Sequence, residues 1–78
     1  MRSVLDGKPG ENFRVEQIGL LGRQRRRLLE MGLIPGAPIT VAAIGAFGGR
    51  IVRLGEARIA LDAATARAIT VAAESAHE

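Results

Sequence analysis

Apolar and polar residues alternate with a period of two in several stretches of the chain, which is the pattern of half-buried β-strands. In the first stretch, Phe13 and Val15 alternate with Arg14 and Glu16. The alternation predicts five strands, over residues 12–18, 39–44, 50–54, 58–61 and 69–71. Residues 39–44 are apolar or small on both sides, so this strand is predicted to lie in the middle of the sheet.

One segment follows a helical spacing instead. Its apolar residues fall on one side of a short helix over about residues 22–31: Leu21, Leu28, Leu29 and Met31. Gly32 follows as a natural helix end, and Asp62 is placed to cap one helical turn that runs through Arg67. Five strands around one short helix and one helical turn predict a mainly β fold, a small five-stranded barrel.

The barrel has a predicted core that draws on nearly all of these elements: Phe13, Val15, Leu28, Met31, Ile39, Val41, Leu54, Ile59, Leu61, Ile69 and Val71. With 78 residues the chain accommodates one domain, which we expect over residues 1–72, followed by a flexible tail over residues 73–78. The uncharged stretch from Met31 to Gly49 is interrupted by glycines and prolines, which excludes a transmembrane helix. The chain starts without the apolar segment of a signal peptide, so we expect a cytoplasmic protein.

Composition excludes several kinds of chemistry. The chain has no cysteine, and its single histidine, His77, falls in the predicted tail. Disulfides, thiolate nucleophiles and histidine-based acid–base pairs are therefore not expected. The carboxylates are scattered over different elements, and the glycine-rich segment 45–49 lacks the lysine and hydroxyl residues of a phosphate-binding loop. We expect neither an enzyme nor a cofactor, and no metal site.

A family resemblance is carried by the run from Arg26 to Gly36, Arg-Arg-Leu-Leu-Glu-Met-Gly-Leu-Ile-Pro-Gly. It resembles the FeoA family, in which a helix ends in Leu-x-x-Leu/Met-Gly-Leu-x-Pro-Gly. The similarity continues through residues 59–61 and 66–71, and the Lys-Pro-Gly-Glu turn at residues 8–11 is similar to the family's beginning. One departure lies at the hairpin tip, Gly45 to Arg50, where the family commonly has two prolines and this chain has none.

The resemblance implies an SH3-like barrel and a cytoplasmic accessory role in ferrous iron uptake. The implied partner is the GTP-binding domain of the membrane permease FeoB, so the membrane would be reached only through the permease. A similar domain ends some metal-dependent transcriptional repressors, but no DNA-binding helical domain precedes the barrel in this sequence. Self-association stays open.

An arginine cluster near the helix start is the strongest chemical feature: Arg23, Arg25, Arg26 and Arg27. Positive charge in the first turn opposes the helix dipole, so local stability does not explain the cluster, whereas an acidic partner would. The alternative is a solvated face in which Glu30 pairs with Arg26 or Arg27. The net charge of +3 is small enough to serve solubility alone.

The predicted partner-binding residues combine this cluster with nearby apolar side chains: Arg25, Arg26, Arg27, Leu33, Ile34 and Phe47. Packing into the fold is the alternative for Leu33 and Ile34, and Phe47 could cap the barrel instead of facing a partner. A second function class is a basic barrel that binds nucleic acid through phosphate contacts from residues 23–27. Because the chain has no Trp and no Tyr to stack on bases, nucleic acid is not the expected partner.

Overall fold

Six antiparallel strands form one sheet in the computed structural model, which describes residues 2–74. The strands are β1 (Arg2–Ser3), β2 (Asn12–Ile18), β3 (Pro38–Ile44), β4 (Arg50–Leu54), β5 (Ala57–Leu61) and β6 (Ile69–Ala73). Their order across the sheet is β1-β6-β2-β3-β4-β5. Two α-helices complete the fold, α1 (Gly22–Glu30) between β2 and β3 and α2 (Ala63–Ala68) between β5 and β6.

The predicted fold class is confirmed. All five predicted strands are present, β3 lies in the interior of the sheet, and the helix and the helical turn stand at their predicted places. The additional strand, β1, is only two residues long and pairs with β6. Its two residues are too few to show an alternating pattern, so the prediction missed it.

The core lies on the inner face of the sheet. It contains Val4, Phe13, Val15, Ile18, Leu28, Leu33, Ala37, Ile39, Val41, Val52, Ile59, Leu61, Ala66, Ile69 and Val71. Two predicted members are corrected. Met31 is the C-cap of α1 and keeps 43% of its surface exposed, and Leu54, at the end of β4, is only partly buried against the core. Val52 takes the central position instead, opposite Val41 and Ile59 on the two neighbouring strands.

Helix α1 ends in a glycine motif that fixes how the chain enters β3. Gly32 has a φ of +100°, and its amide donates to the carbonyl of Leu29 while the amide of Leu33 donates to that of Leu28. These two hydrogen bonds turn the chain and direct Leu33 into the core. A second turn follows at once, with Pro35 and then Gly36 at a φ of +93°, closed by the Ala37 amide on the Ile34 carbonyl.

One arginine joins the N-terminal segment to the β3–β4 hairpin. Arg50 donates from Nε to the carbonyl of Gly7 at 2.9 Å and from Nη2 to that of Leu5 at 2.8 Å. Its Nη1 donates to the carbonyl of Gly48 at 2.7 Å. The guanidinium therefore ties the segment after β1 to the hairpin tip.

The sheet runs further toward the C-terminus than predicted. Ala73 pairs with Phe13, and the amide of Glu74 donates to the carbonyl of Asn12. The Glu74 carboxylate also accepts from Arg14 at 2.7 Å. The expected tail boundary at residue 73 is therefore corrected by two residues, and the rest of that tail, with His77, lies outside the described residues.

Candidate functional site

Helix α1 carries the arginine cluster on its outer face. Leu28 is the buried residue of the helix and marks the side that faces the core. Arg23, Arg26 and Arg27 are exposed, whereas Arg25 is half-buried beside Pro35. We call the outer face of the helix, with Arg23, Arg25, Arg26 and Arg27, the arginine face.

No ion pair within the described chain involves the arginines of this face. Leu21 occupies the N-cap of α1, and its apolar side chain cannot accept a hydrogen bond from the first amides of the helix. The first turn has no acidic residue. The ion pairs among residues 2–74 are Arg2 with Glu11 and Arg14 with Glu74, so Glu30 pairs with neither Arg26 nor Arg27. Arg23 and Arg25 thus add their charge to the positive end of the helix dipole, whereas Arg27 lies in the last turn.

Leu33 is removed from the predicted partner-binding set. Its side chain is 0% exposed because the glycine motif at Gly32 points it into the core beside Leu28. Ile34, the next residue, is 46% exposed at the turn before β3. The pair therefore divides: packing accounts for Leu33, and only Ile34 lies on the surface.

Phe47 is fully exposed at the tip of the β3–β4 hairpin, so it does not cap the barrel. Its backbone has φ 55° and ψ 31°, the left-handed region that costs an aromatic residue about 1 kcal/mol or more. Ile34 precedes β3 and Phe47 follows it, so a strand of about 20 Å separates them. The structure thus places Ile34 beside α1 and Phe47 at the opposite end of β3.

Exposed apolar residues that were not among the predicted site residues flank these two surfaces. Leu21 is 85% exposed, because as N-cap it lies outside the helical spacing that was used to place it with Leu28. Together with Met31 and Ile34 it gives the helical end of the molecule an apolar margin. Ile44 is exposed near Phe47 at the hairpin end, where a bulge in β3 breaks the strand alternation after Val41.

Metal and membrane features are limited in the part of the chain that the structure describes. Among residues 2–74, no three His, Asp or Glu side chains come together in a way that could hold a metal ion. Neither helix in that range combines the length and the apolar character needed to span a bilayer.

Comparison with known families identifies the chain. A sequence model of the FeoA domain matches residues 3–73, which is nearly the whole chain. The chain belongs to the FeoA family. The resemblance carried by the run from Arg26 to Gly36 is thereby confirmed, and it associates the chain with ferrous iron transport. No curated protein matches the chain.

Solved FeoA structures share the fold. The FeoA protein of Chlorobium tepidum superimposes with a TM-score of 0.88 at 24% identity, over 99% of this chain and 74% of that one. A crystal structure of an iron uptake regulatory FeoA protein is 30% identical, with a TM-score of 0.77, over 88% of this chain and 90% of that one.

A third FeoA structure is a zinc complex from Stenotrophomonas maltophilia. It is 26% identical with a TM-score of 0.77, over 92% of this chain and 91% of that one. That protein is described as a prokaryotic SH3-domain protein and a candidate activating factor for bacterial ferrous iron transport. The SH3-like fold class predicted for this chain is thus shared with its FeoA relatives.

Proposed function

We propose that this FeoA-family protein is a cytoplasmic, non-catalytic accessory of ferrous iron uptake that docks onto the GTP-binding domain of a FeoB-type permease. The contact surface is the arginine face of α1 with Ile34, and Leu21 and Met31 extend its apolar margin. Family membership supports the ferrous iron role. The observation that carries the docking surface is the group of four arginines on one short helix with an uncapped start, none of them in an ion pair among residues 2–74.

Physical reasons favour a protein partner at this surface. Guanidinium groups bind carboxylates through paired hydrogen bonds, and exposed apolar residues next to them add contact area. Apolar side chains next to the arginines favour a protein as the partner over a nucleic acid, because a phosphate backbone is hydrophilic throughout. The absence of Trp and Tyr from the sequence removes the usual stacking platforms for bases.

The size of the domain sets the strength of the complex. A surface of about 600 to 800 Å² per partner is the most that a barrel of this kind offers on one side, which corresponds to a transient complex of roughly micromolar affinity. Opposite charges on the two partners would then mainly raise the association rate. Phe47 lies at the other end of β3, so it belongs to a second contact point and not to the arginine face.

The test replaces the three predicted arginines together. The helix variant carries Arg25→Gln, Arg26→Gln and Arg27→Gln. The control variant carries Lys8→Gln, Arg14→Gln and Arg67→Gln, which are exposed residues outside α1. Each variant removes three positive charges from a chain of net charge +3. We expect the helix variant to lose co-purification with the permease and to slow ferrous iron uptake in cells, while the control variant retains both. Equal behaviour of the two folded variants would overturn the proposed surface.

A further inference from the structure

Strand β5 is an open edge of the sheet. It pairs with β4 along Ala57 to Leu61 and with no other strand among residues 2–74. No backbone hydrogen bond outside the β4–β5 ladder involves these five residues within the described chain. The outer side of β5 therefore presents free amide and carbonyl groups. An extended peptide can form hydrogen bonds with such groups and add a strand to the sheet.

A groove runs beside this edge. It has a volume of about 240 Å³ and lies between β5 and α1. Ile59 and Leu61 line it from the strand, and Arg27, Leu28 and Met31 line it from the helix. Because side chains of a strand alternate between the two faces of a sheet, every second side chain of an added strand would enter this groove. Apolar side chains there would contact Leu28, Met31 and Ile59, with polar groups such as Gln24 at the margin.

The outer face of the same edge has an unbalanced charge. Arg53 on β4 lies directly opposite Arg58 on β5, and both side chains are exposed without an ion pair among residues 2–74. Like charges at directly opposed positions destabilise a sheet. A carboxylate on an added strand, opposite Arg58, would continue this row and offset the repulsion.

We propose that β5 binds an extended acidic segment of the partner protein by strand addition, with acidic side chains on the outer face and apolar side chains in the groove. This deepens the proposed function and rests on it for the identity of the partner. A second copy of the chain fits poorly, because two paired β5 strands, about 5 Å apart, would bring two Arg58 side chains onto one face. An anionic bilayer supplies charge but no backbone groups for the open edge.

The test measures amide hydrogen exchange by NMR in the full chain. The probes are a blocked six-residue peptide that alternates Glu and Val, a matched peptide that alternates Lys and Val, anionic phospholipid vesicles, and the GTP-binding domain of the permease. We expect the Glu–Val peptide and the permease domain to slow exchange about tenfold or more at the β5 amides that do not bond to β4. Arg58→Gln should weaken binding of the Glu–Val peptide about threefold. Arg67→Gln, on the exposed side of α2, should leave the affinity for this peptide unchanged.

Strand addition of an acidic segment at β5 would be overturned if the Glu–Val peptide did not slow exchange at the β5 amides, or if the Lys–Val peptide slowed it equally. Slower exchange at β5 with vesicles, or with rising protein concentration alone, would also overturn it. A permease domain that binds without slowing exchange at β5 also overturns it and leaves the proposed function standing. Protection by the Glu–Val peptide in a protein that does not bind the permease domain supports strand addition and contradicts the proposed function.

Discussion

Single residues show most clearly where this structure departs from what packing alone requires. Phe47 is fully exposed in a left-handed backbone conformation, so it contributes nothing to the core and carries a conformational cost. Arg50 is the opposite case, since its guanidinium is bound by carbonyls from two loops. In the sequence, Phe47 is an apolar residue and Arg50 a polar residue close to glycines. The hydrophobic pattern therefore predicts neither the exposure of Phe47 nor the bridging role of Arg50.

Replacing Phe47 by glycine is expected to stabilise the fold. Glycine adopts the left-handed conformation without strain, and this gain exceeds the extra entropy of glycine in the unfolded chain. We expect the free energy of unfolding in urea to rise by about 0.5 to 1 kcal/mol. Phe47→Ala keeps a side chain at the strained position, so it should not be stabilising. A loss of stability in Phe47→Gly would mean that the ring packs against the fold.

Replacing Arg50 by methionine is expected to destabilise the fold strongly. The change leaves the carbonyls of Leu5, Gly7 and Gly48 without their charged donor. We expect a loss of about 2 to 3 kcal/mol in the free energy of unfolding, measured by urea titration. The control is Arg53→Met, at an exposed position of the same strand, where the change should stay below about 0.5 kcal/mol. Similar losses in both variants would contradict the bridging role of Arg50.

At the scale of elements, the prediction succeeded where the pattern is long enough. Strands β2 to β6 and helix α1 each contain enough alternating or helically spaced apolar residues to be recognised from sequence. The errors fall at the ends of elements, at Leu21 before α1, at Met31 and Leu33 after it, and at Ala73 in β6. There the direction of a side chain is set by caps and turns instead of by the period of the element.

The cap of α2 predicts how stability depends on pH. The Asp62 carboxylate accepts from the Thr65 amide at 2.8 Å, and this bond lowers the pKa of Asp62 below its ordinary value of 3.8. The Ser3 amide lowers the pKa of Asp6 in the same way, and the Lys8 amide, with Arg2, lowers that of Glu11. A lowered pKa in the folded state means that the unfolded chain binds protons first, so these carboxylates stabilise the fold above their ordinary pKa values.

Stability should therefore fall as the pH drops below about 4.5 and through the lowered pKa values. Asp62→Asn keeps an oxygen that can cap the helix but does not titrate, so its free energy of unfolding should decline less steeply than that of the wild type. Urea titrations at a series of pH values between about 6 and 2.5 measure both curves. Parallel curves for the two proteins would show that the Asp62 cap does not contribute to the acid sensitivity.

For the whole molecule, the relative placement of surfaces decides what the chain can bind. The sequence predicts one surface that combines Ile34 and Phe47 with the arginines, as apolar neighbours of the cluster. The structure separates them by the length of β3, which leaves the arginine face with Ile34 at one end and Phe47 at the other. Which strand forms the open edge depends on the sheet order, and periodicity within single strands carries no information about that order.

We propose that the arginine face of α1 binds the GTP-binding domain of a FeoB-type permease. Isothermal titration calorimetry of that domain with the wild type, the helix variant and the control variant, at low and at high salt, tests it most directly. We expect the helix variant to bind at least tenfold more weakly at low salt, the control variant to stay within about threefold of the wild type, and the difference to shrink as salt screens the charges. Equal dissociation constants for the two variants at low salt would contradict the claim.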